Sequence, residues 1–307
     1  MSDVYLYGMI TPSIVHILHP DFDFPNANGY AEIGETLISV GGEAANSAVI
    51  LAKLGLSVKL DGNWLNRRRA DHVFGLLNPF GIDLSRLNLV DSGGTDEFVI
   101  ADRISRTVFG NYATFHSGPR QWNEPQPNDI QVAKIVCVDP YFHDESRRVA
   151  ELCVELGKPY VTLDCECDDY IARNAAAVVI SHELRDRVYL AQDQREVFER
   201  YLNSCQGLVI FTFGQEPLWY GRRGHVLRQH KPYVIEPVDT TGAGDAFRGA
   251  IAYGLLQGYD DEKTVDFASA VAANVCLSYP HALNAPGLET VLAFIAKYRT
   301  DSVTALT

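Results

Sequence analysis

Short β-rich runs alternate with helix-length amphipathic stretches along most of this chain, and that alternation limits the fold more than any other feature. Val4 to Tyr7, Val58 to Asp61, Ile135 to Val138, Val161 to Asp164, Val178 to Ile180 and Leu208 to Phe213 read as strands. Ala44 to Leu54, Glu145 to Leu156 and Asp193 to Leu202 read as helices between them, and the last third is helical over Glu262 to Leu277 and Leu288 to Lys297. Such alternation implies an α/β fold with a mainly parallel central sheet covered by helices on both faces. Ligands of such sheets sit beyond the strand C-termini. A chain of 307 residues with 47% hydrophobic composition can bury one large core, so 1–307 is expected to form a single domain.

Two stretches break the rhythm, about 14–39 and 96–116. The second reads as a hairpin, with strands Glu97 to Asp102 and Thr107 to Tyr112 around a turn at Arg103 to Ser105. A projecting hairpin is either an edge ribbon or a cover for a site.

The run Asp239-Thr240-Thr241-Gly242-Ala243-Gly244-Asp245-Ala246-Phe247 places a glycine turn, a carboxylate and a helix start within nine residues. Gly242 and Gly244 let backbone N–H groups approach a ligand with no side chain in the way. Phe247, Ile251 and Leu255 then recur at helical spacing. The dipole and N-terminal amides of that helix suit a phosphate. Asp245, kept ionised by the same dipole, is a candidate base for a hydroxyl, while the amides of Gly242, Ala243, Gly244 and Asp245 would hold charge on a transferring phosphoryl group. A capped ordinary helix is the plainer alternative. No GxxxxGK[ST] run occurs, and Phe247 stands where a dinucleotide fingerprint needs its third glycine.

Gly41-Gly42-Glu43-Ala44-Ala45-Asn46 forms a second glycine turn before a helix. Asn46 offers donors and an acceptor to a polyol, or simply caps the helix. Glu43 either accepts hydrogen bonds from hydroxyls or points to solvent.

Net charge of −13 argues against nucleic acid as a partner. Arg67, Arg68 and Arg69 are the one notable basic run and read as a solvated loop. No stretch approaches the roughly 18 apolar residues of a membrane span, and no signal-peptide pattern is seen, so a cytoplasmic location is expected. The six scattered cysteines read as reduced structural thiols, Cys165 and Cys167 included.

The segments Asp239 to Ala250 (DTTGAGDAFRGA) and Gly41 to Gly55 (GGEAANSAVILAKLG) resemble the two signatures of the ribokinase-like (PfkB) carbohydrate kinases, in the expected order. The resemblance implies an ATP-dependent kinase acting on a hydroxyl of a sugar or small polyol, with Mg²⁺ arriving on the nucleotide. It also implies a small β lid made from the two irregular stretches, which in that family can carry a dimer contact. Thr212 and Gly214 resemble the nucleotide loop TxGxxG, with Pro217 in place of the last glycine, and Ser269 falls near the adenine position. By the same analogy Asp239 belongs to a monovalent cation site, or else caps its own turn.

Three departures stand out. Ser13 occupies the position, five residues after Gly8, where many members carry the Asp that grips two sugar hydroxyls. The NxxE motif that organises magnesium appears only as Ser181-His182-Glu183-Leu184, with Glu183 displaced by one. Asp139 and Asp164, at strand ends, are candidates to compensate, Asp139 towards the sugar and Asp164 towards the metal. A nucleoside kinase would need an aromatic slot near the lid, from Phe109, Tyr112 or Phe115. Ser13, Ser181 and Pro217 leave open a regulatory relative that binds without turnover, against which Asp245 weighs, and a purely structural module is hard to square with two intact glycine motifs.

Overall fold

The computed structural model describes residues 2–102, 106–279 and 282–304. In chain order the first half comprises β1 (Val4–Gly8), β2 (Thr11–Leu18), β3 (Ile33–Gly41), α1 (Glu43–Lys53), β4 (Val58–Gly62), β5 (Leu65–Asn66), α2 (Arg67–Leu77), β6 (Leu89–Val90), β7 (Glu97–Ala101), β8 (Arg106–Gly110), α3 (Tyr112–Ser117) and α4 (Pro127–Val132). Then come β9 (Ile135–Val138), α5 (His143–Glu155), β10 (Tyr160–Leu163), α6 (Tyr170–Asn174), β11 (Ala177–Ile180), α7 (His182–Val188) and α8 (Gln194–Ser204). The chain closes with β12 (Leu208–Phe213), β13 (Glu216–Gly221), β14 (Arg228–His230), α9 (Ala243–Leu256), α10 (Asp261–Val275) and α11 (Leu288–Thr304).

The large sheet runs β14-β13-β12-β11-β10-β9-β1-β4, parallel except for β13 and β14. Its parallel strands are buried on both faces, as the continuous apolar runs VVI and IVCV require. One core layer joins the sheet to α1, α9 and α10, and a second packs α5 and α8 on the opposite face. The six strands read from sequence are all present. The antiparallel edge formed by β13 and β14 was not anticipated: Pro217 breaks the strand pattern, and in the structure it lies beside a register shift in the β12–β13 pairing, where a missing N–H is tolerated.

A second sheet, β3-β2-β7-β8, is the smaller layer expected from the irregular stretches. The expected strand ending at Tyr112 stops at Gly110, and Tyr112 instead opens α3. The expected turn at Arg103 to Ser105 lies outside the described residues. The roots of this sheet are tied to the large one by Asn63, whose side chain accepts from the Ile10 N–H at 2.7 Å and donates to the Ile10 carbonyl at 2.8 Å and the Thr95 hydroxyl at 3.2 Å.

The basic run is not a loop. Arg67, Arg68 and Arg69 form the first turn of α2, where their charge opposes the helix dipole. Asn66 caps that turn by accepting from the Arg68 N–H at 3.0 Å, and Asp91 and Asp96 pair with Arg67 and Arg69. Cap and counter-charges together let an unfavourable sequence start a helix.

Candidate active site

Two helix N-termini converge at the C-terminal edge of the large sheet. Gly242, in the left-handed region with φ 70°, is the N-cap of α9, so Asp245 falls in its first turn. Gly42, with φ 91°, is the N-cap of α1, which puts Glu43 in that first turn and Asn46 one turn in. Neither helix has a side-chain cap, and the Ala45 N–H in the first turn of α1 goes to the Met9 carbonyl at 3.3 Å. Asn46 is therefore not a cap. Its side-chain nitrogen donates to Asp245 Oδ2 at 2.8 Å, and Ser47 donates to the Asp245 carbonyl at 2.9 Å, bringing the two signatures into direct contact.

The turn before α9 is held from within. Asp239 Oδ1 accepts from the Thr241 N–H at 2.8 Å, and the Ala243 N–H reaches the Thr240 carbonyl at 3.3 Å. The Gly244 N–H has no backbone acceptor among the described residues, and a Cβ built at Gly244 would meet nothing within 4 Å. Open space therefore lies over Gly244, which a larger side chain would fill.

Beneath this lies a residue the motif reading passed over. Arg248 is fully buried and donates to the Asp139 carboxylate, to Ser47 Oγ at 2.9 Å and to the Glu43 carbonyl at 2.7 Å. Burial works against its charge, but Asp139, with Cys137 and Asp245 behind it, holds the guanidinium firmly protonated. The sequence signal was there, a charge inside the small and apolar run Ala246 to Ile251.

Asp139, expected to face the sugar, is fully buried, and besides Arg248 it accepts from the Met9 N–H at 2.7 Å. Its carboxylate is thus committed to fixing the floor of the site. Glu43 sits among Asp139 and Asp245; burial and then these two neighbours push its carboxyl well above the ordinary range. Tyr141 is close to the same group, its phenol raised by burial and then by Glu43, Asp164, Asp139 and Asp245.

The small sheet folds over this centre. Thr11, Ser13, Ser39, Gly41 and Glu97 share one face by register, and Ser13 is buried there in β2 rather than at the end of β1. Arg106, on the same face of β8, comes within 3.9 Å of Asp239 Oδ1. Phe109 lies on the outward face, stacked on Phe98, while Phe115 is buried against Trp122. Tyr112 donates its hydroxyl to Glu97.

The remaining candidates are spread along the same edge. Thr212, whose hydroxyl approaches the Ile180 carbonyl at 3.4 Å, and Gly214, with φ 63°, lie at the end of β12 and in its hairpin. Ser269 is buried on α10, which packs along α9. Asp164, in a left-handed conformation after β10, accepts from the Ser181 N–H at 2.7 Å and its hydroxyl at 2.9 Å; burial raises its carboxyl despite these bonds. Glu183 is exposed beside His182 and not drawn into the site. No group of three or more His, Cys, Asp or Glu able to hold a metal occurs among the described residues, and the cysteines are all free. No helix is long and apolar enough to cross a membrane among them.

Two glycine-led helix starts meet beneath the small sheet at the edge of the large one, and the fold is ribokinase-like. The pfkB family of carbohydrate kinases matches residues 21–286, and the chain belongs to that family of enzymes. It is 28% identical over 294 residues to the ATP-dependent ribose-1-phosphate kinase of Halopiger xanaduensis, with 89% of this chain and 92% of the relative covered. The 5-dehydro-2-deoxygluconokinase of Clostridium perfringens is 23% identical over 290 residues, with 85% of each chain covered. The ribokinase of Arabidopsis thaliana, solved with ribose and ATP, superposes with a TM-score of 0.79 at 18% identity, over 96% of this chain and 98% of that one.

Proposed function

We propose that the protein transfers the terminal phosphoryl group of ATP to a hydroxyl of a sugar or related small polyol, with Asp245 as the general base. The observation that carries this reading is the hydrogen bond from Asn46 to Asp245 beside the open turn at Gly244, because it sets an acceptor-binding helix and a phosphate cradle on either side of one carboxylate. Asp245 takes the proton of the acceptor hydroxyl, and the Gly244 amide with the α9 dipole offsets charge on the phosphoryl group as it moves. Asn46 fixes the orientation of the base. Arg248 holds α1, α9 and Asp139 in one rigid floor. The lid, through Ser13, Glu97 and Arg106, excludes water until the acceptor is bound.

ATP supplies the phosphoryl group and brings Mg²⁺ with its phosphates; Thr212, Gly214 and Ser269 line the nucleotide side of the sheet edge. Asp239 accepts from Thr241 through Oδ1 and lies 3.9 Å from Arg106, which suits a turn cap and equally a place beside a monovalent cation. The outward lid face carries Ile38, Phe98 and Phe109, each 40% exposed or more, and is the surface by which a homodimer would form. The expected compartment is the cytoplasm. A nucleoside acceptor is the second reading: Phe109 faces outward and Phe115 is packed in the core, which leaves Tyr112, bonded to Glu97, as the candidate aromatic side chain at the site.

The test is ATP consumption against a panel of sugars, polyols and nucleosides, with wild type and Asp245→Asn. Turnover on a sugar or polyol that falls about 100-fold or more in the folded variant is expected. Undiminished turnover would refute the base, and binding of ATP without turnover on any acceptor would favour a regulatory protein.

A further inference from the structure

By the family resemblance Ser13 stands where many members carry an Asp, and the structure puts a different carboxylate beside it. β2 and β7 pair in parallel with Ser13 opposite Glu97, on the lid face that also carries Ser39 and Gly41. Glu97 reaches over Gly41: a Cβ there would stand 2.2 Å from Glu97 Oε1, so a larger residue would push this carboxylate away from the start of α1. Tyr112 donates to Oε2, and Oε1 has no hydrogen-bond partner among the described residues. An independent observation points to the same missing donors. Asn46, 4% exposed and bound to Asp245 through its nitrogen, has a buried Oδ1 with no partner.

Resting on the kinase reading, we propose that Glu97 is the specificity-determining residue of the acceptor site, and that the acceptor is an uncharged polyhydroxylated molecule whose hydroxyls donate to Glu97 Oε1 and Asn46 Oδ1. Hydroxyl groups supply donors to the orphaned Asn46 Oδ1 and to the open Glu97 Oε1. A carboxylate or phosphate on the acceptor would instead add negative charge beside Glu97 and Asp245. The buried Arg248 cannot neutralise it, because Asp139, Ser47 and the Glu43 carbonyl already take its donors, and Arg106, a cation on the same lid face, is turned to Asp239. This sets the chain apart from the relatives named for a sugar phosphate and a sugar acid.

The experiment is steady-state kinetics of the full chain with ATP on matched neutral pentoses, hexoses and cyclitols, their aldonates and their monophosphates. Neutral acceptors should exceed their anionic counterparts by about 100-fold in kcat/KM, since like-charge juxtaposition is strongly disfavoured. Glu97→Gln, which keeps an acceptor for Tyr112, should raise KM for the best neutral acceptor about 10-fold with kcat nearly unchanged, and Glu97→Asp should recover part of that loss. Preference for an aldonate or a sugar phosphate would overturn the proposal while leaving the kinase reading intact, as would an unchanged KM in a folded Glu97→Gln. No turnover on any member of the panel would overturn the kinase reading and this proposal with it.

Discussion

The two glycine turns of this protein are built alike and finished differently. Each ends in a glycine with positive φ, starts a helix without a side-chain cap and carries an acid in the first turn. At α1 the chain itself fills the space in front of the glycines: a Cβ at Gly42 would stand 2.4 Å from the Met9 carbonyl, and one at Gly41 would collide with Glu97. At α9 the space in front of Gly244 is open. One turn is thus packed against the lid, where on the proposed function it presents side-chain acceptors to an alcohol. The other is left bare, where on the same proposal it presents backbone donors to an anion. The acids follow suit: Glu43 is driven towards its neutral form by burial and by Asp139 and Asp245, whereas Asp245 is oriented by Asn46.

If the open turn is the phosphate cradle, closing it should be the most damaging change. Gly244→Val is expected to lower kcat about 100-fold or more, with little change in melting temperature, as measured by kinetics and calorimetry side by side. Breaking the floor common to both turns should act on the fold first. Arg248→Met leaves Asp139 buried without its counter-ion and should cost about 3–5 kcal/mol in denaturant unfolding; Asp139→Asn combined with it should cost less than the two single changes added.

The contrast in acidity is sharpened by pH. A carboxyl whose folded pKa is raised from the ordinary 4.5 binds its proton more tightly in the folded state, so it favours folding at low pH and that contribution is lost as pH rises through the raised value. Wild type should therefore lose stability relative to Glu43→Gln as pH climbs above about 4.5, and the variant should show a flatter melting-temperature profile over the same window. Equal slopes would place Glu43 in solvent. The smallest effect is expected at the lid: Arg106→Gln removes a long, partly exposed contact to Asp239 and should change kcat/KM only a few-fold, in line with an interaction of under about 1 kcal/mol.

Much of this architecture was legible in the chain because its signals are local. Periodicity identified the parallel strands, and glycine spacing identified both helix starts. What stayed hidden depends on contacts between distant segments. Glu97 looks like the first residue of a hairpin until β2 pairs with β7 and sets it opposite Ser13. Arg248 and Asp139 are 109 residues apart, so neither reads as half of a buried ion pair. The opposite error was made at Arg67 to Arg69, where three like charges suggested a loop and the counter-charges Asp91 and Asp96 came from outside the helix.

The central claim is that Asp245 stands between an open phosphate cradle and an alcohol held by α1 and the lid. Its most direct measurement is a crystal structure with a non-hydrolysable ATP analogue and a neutral polyol acceptor. The account predicts the terminal phosphate against the Gly244 N–H, with one acceptor hydroxyl within about 3 Å of the Asp245 carboxylate. A terminal phosphate bound elsewhere, or an Asp245 carboxylate turned away from the acceptor, would contradict it.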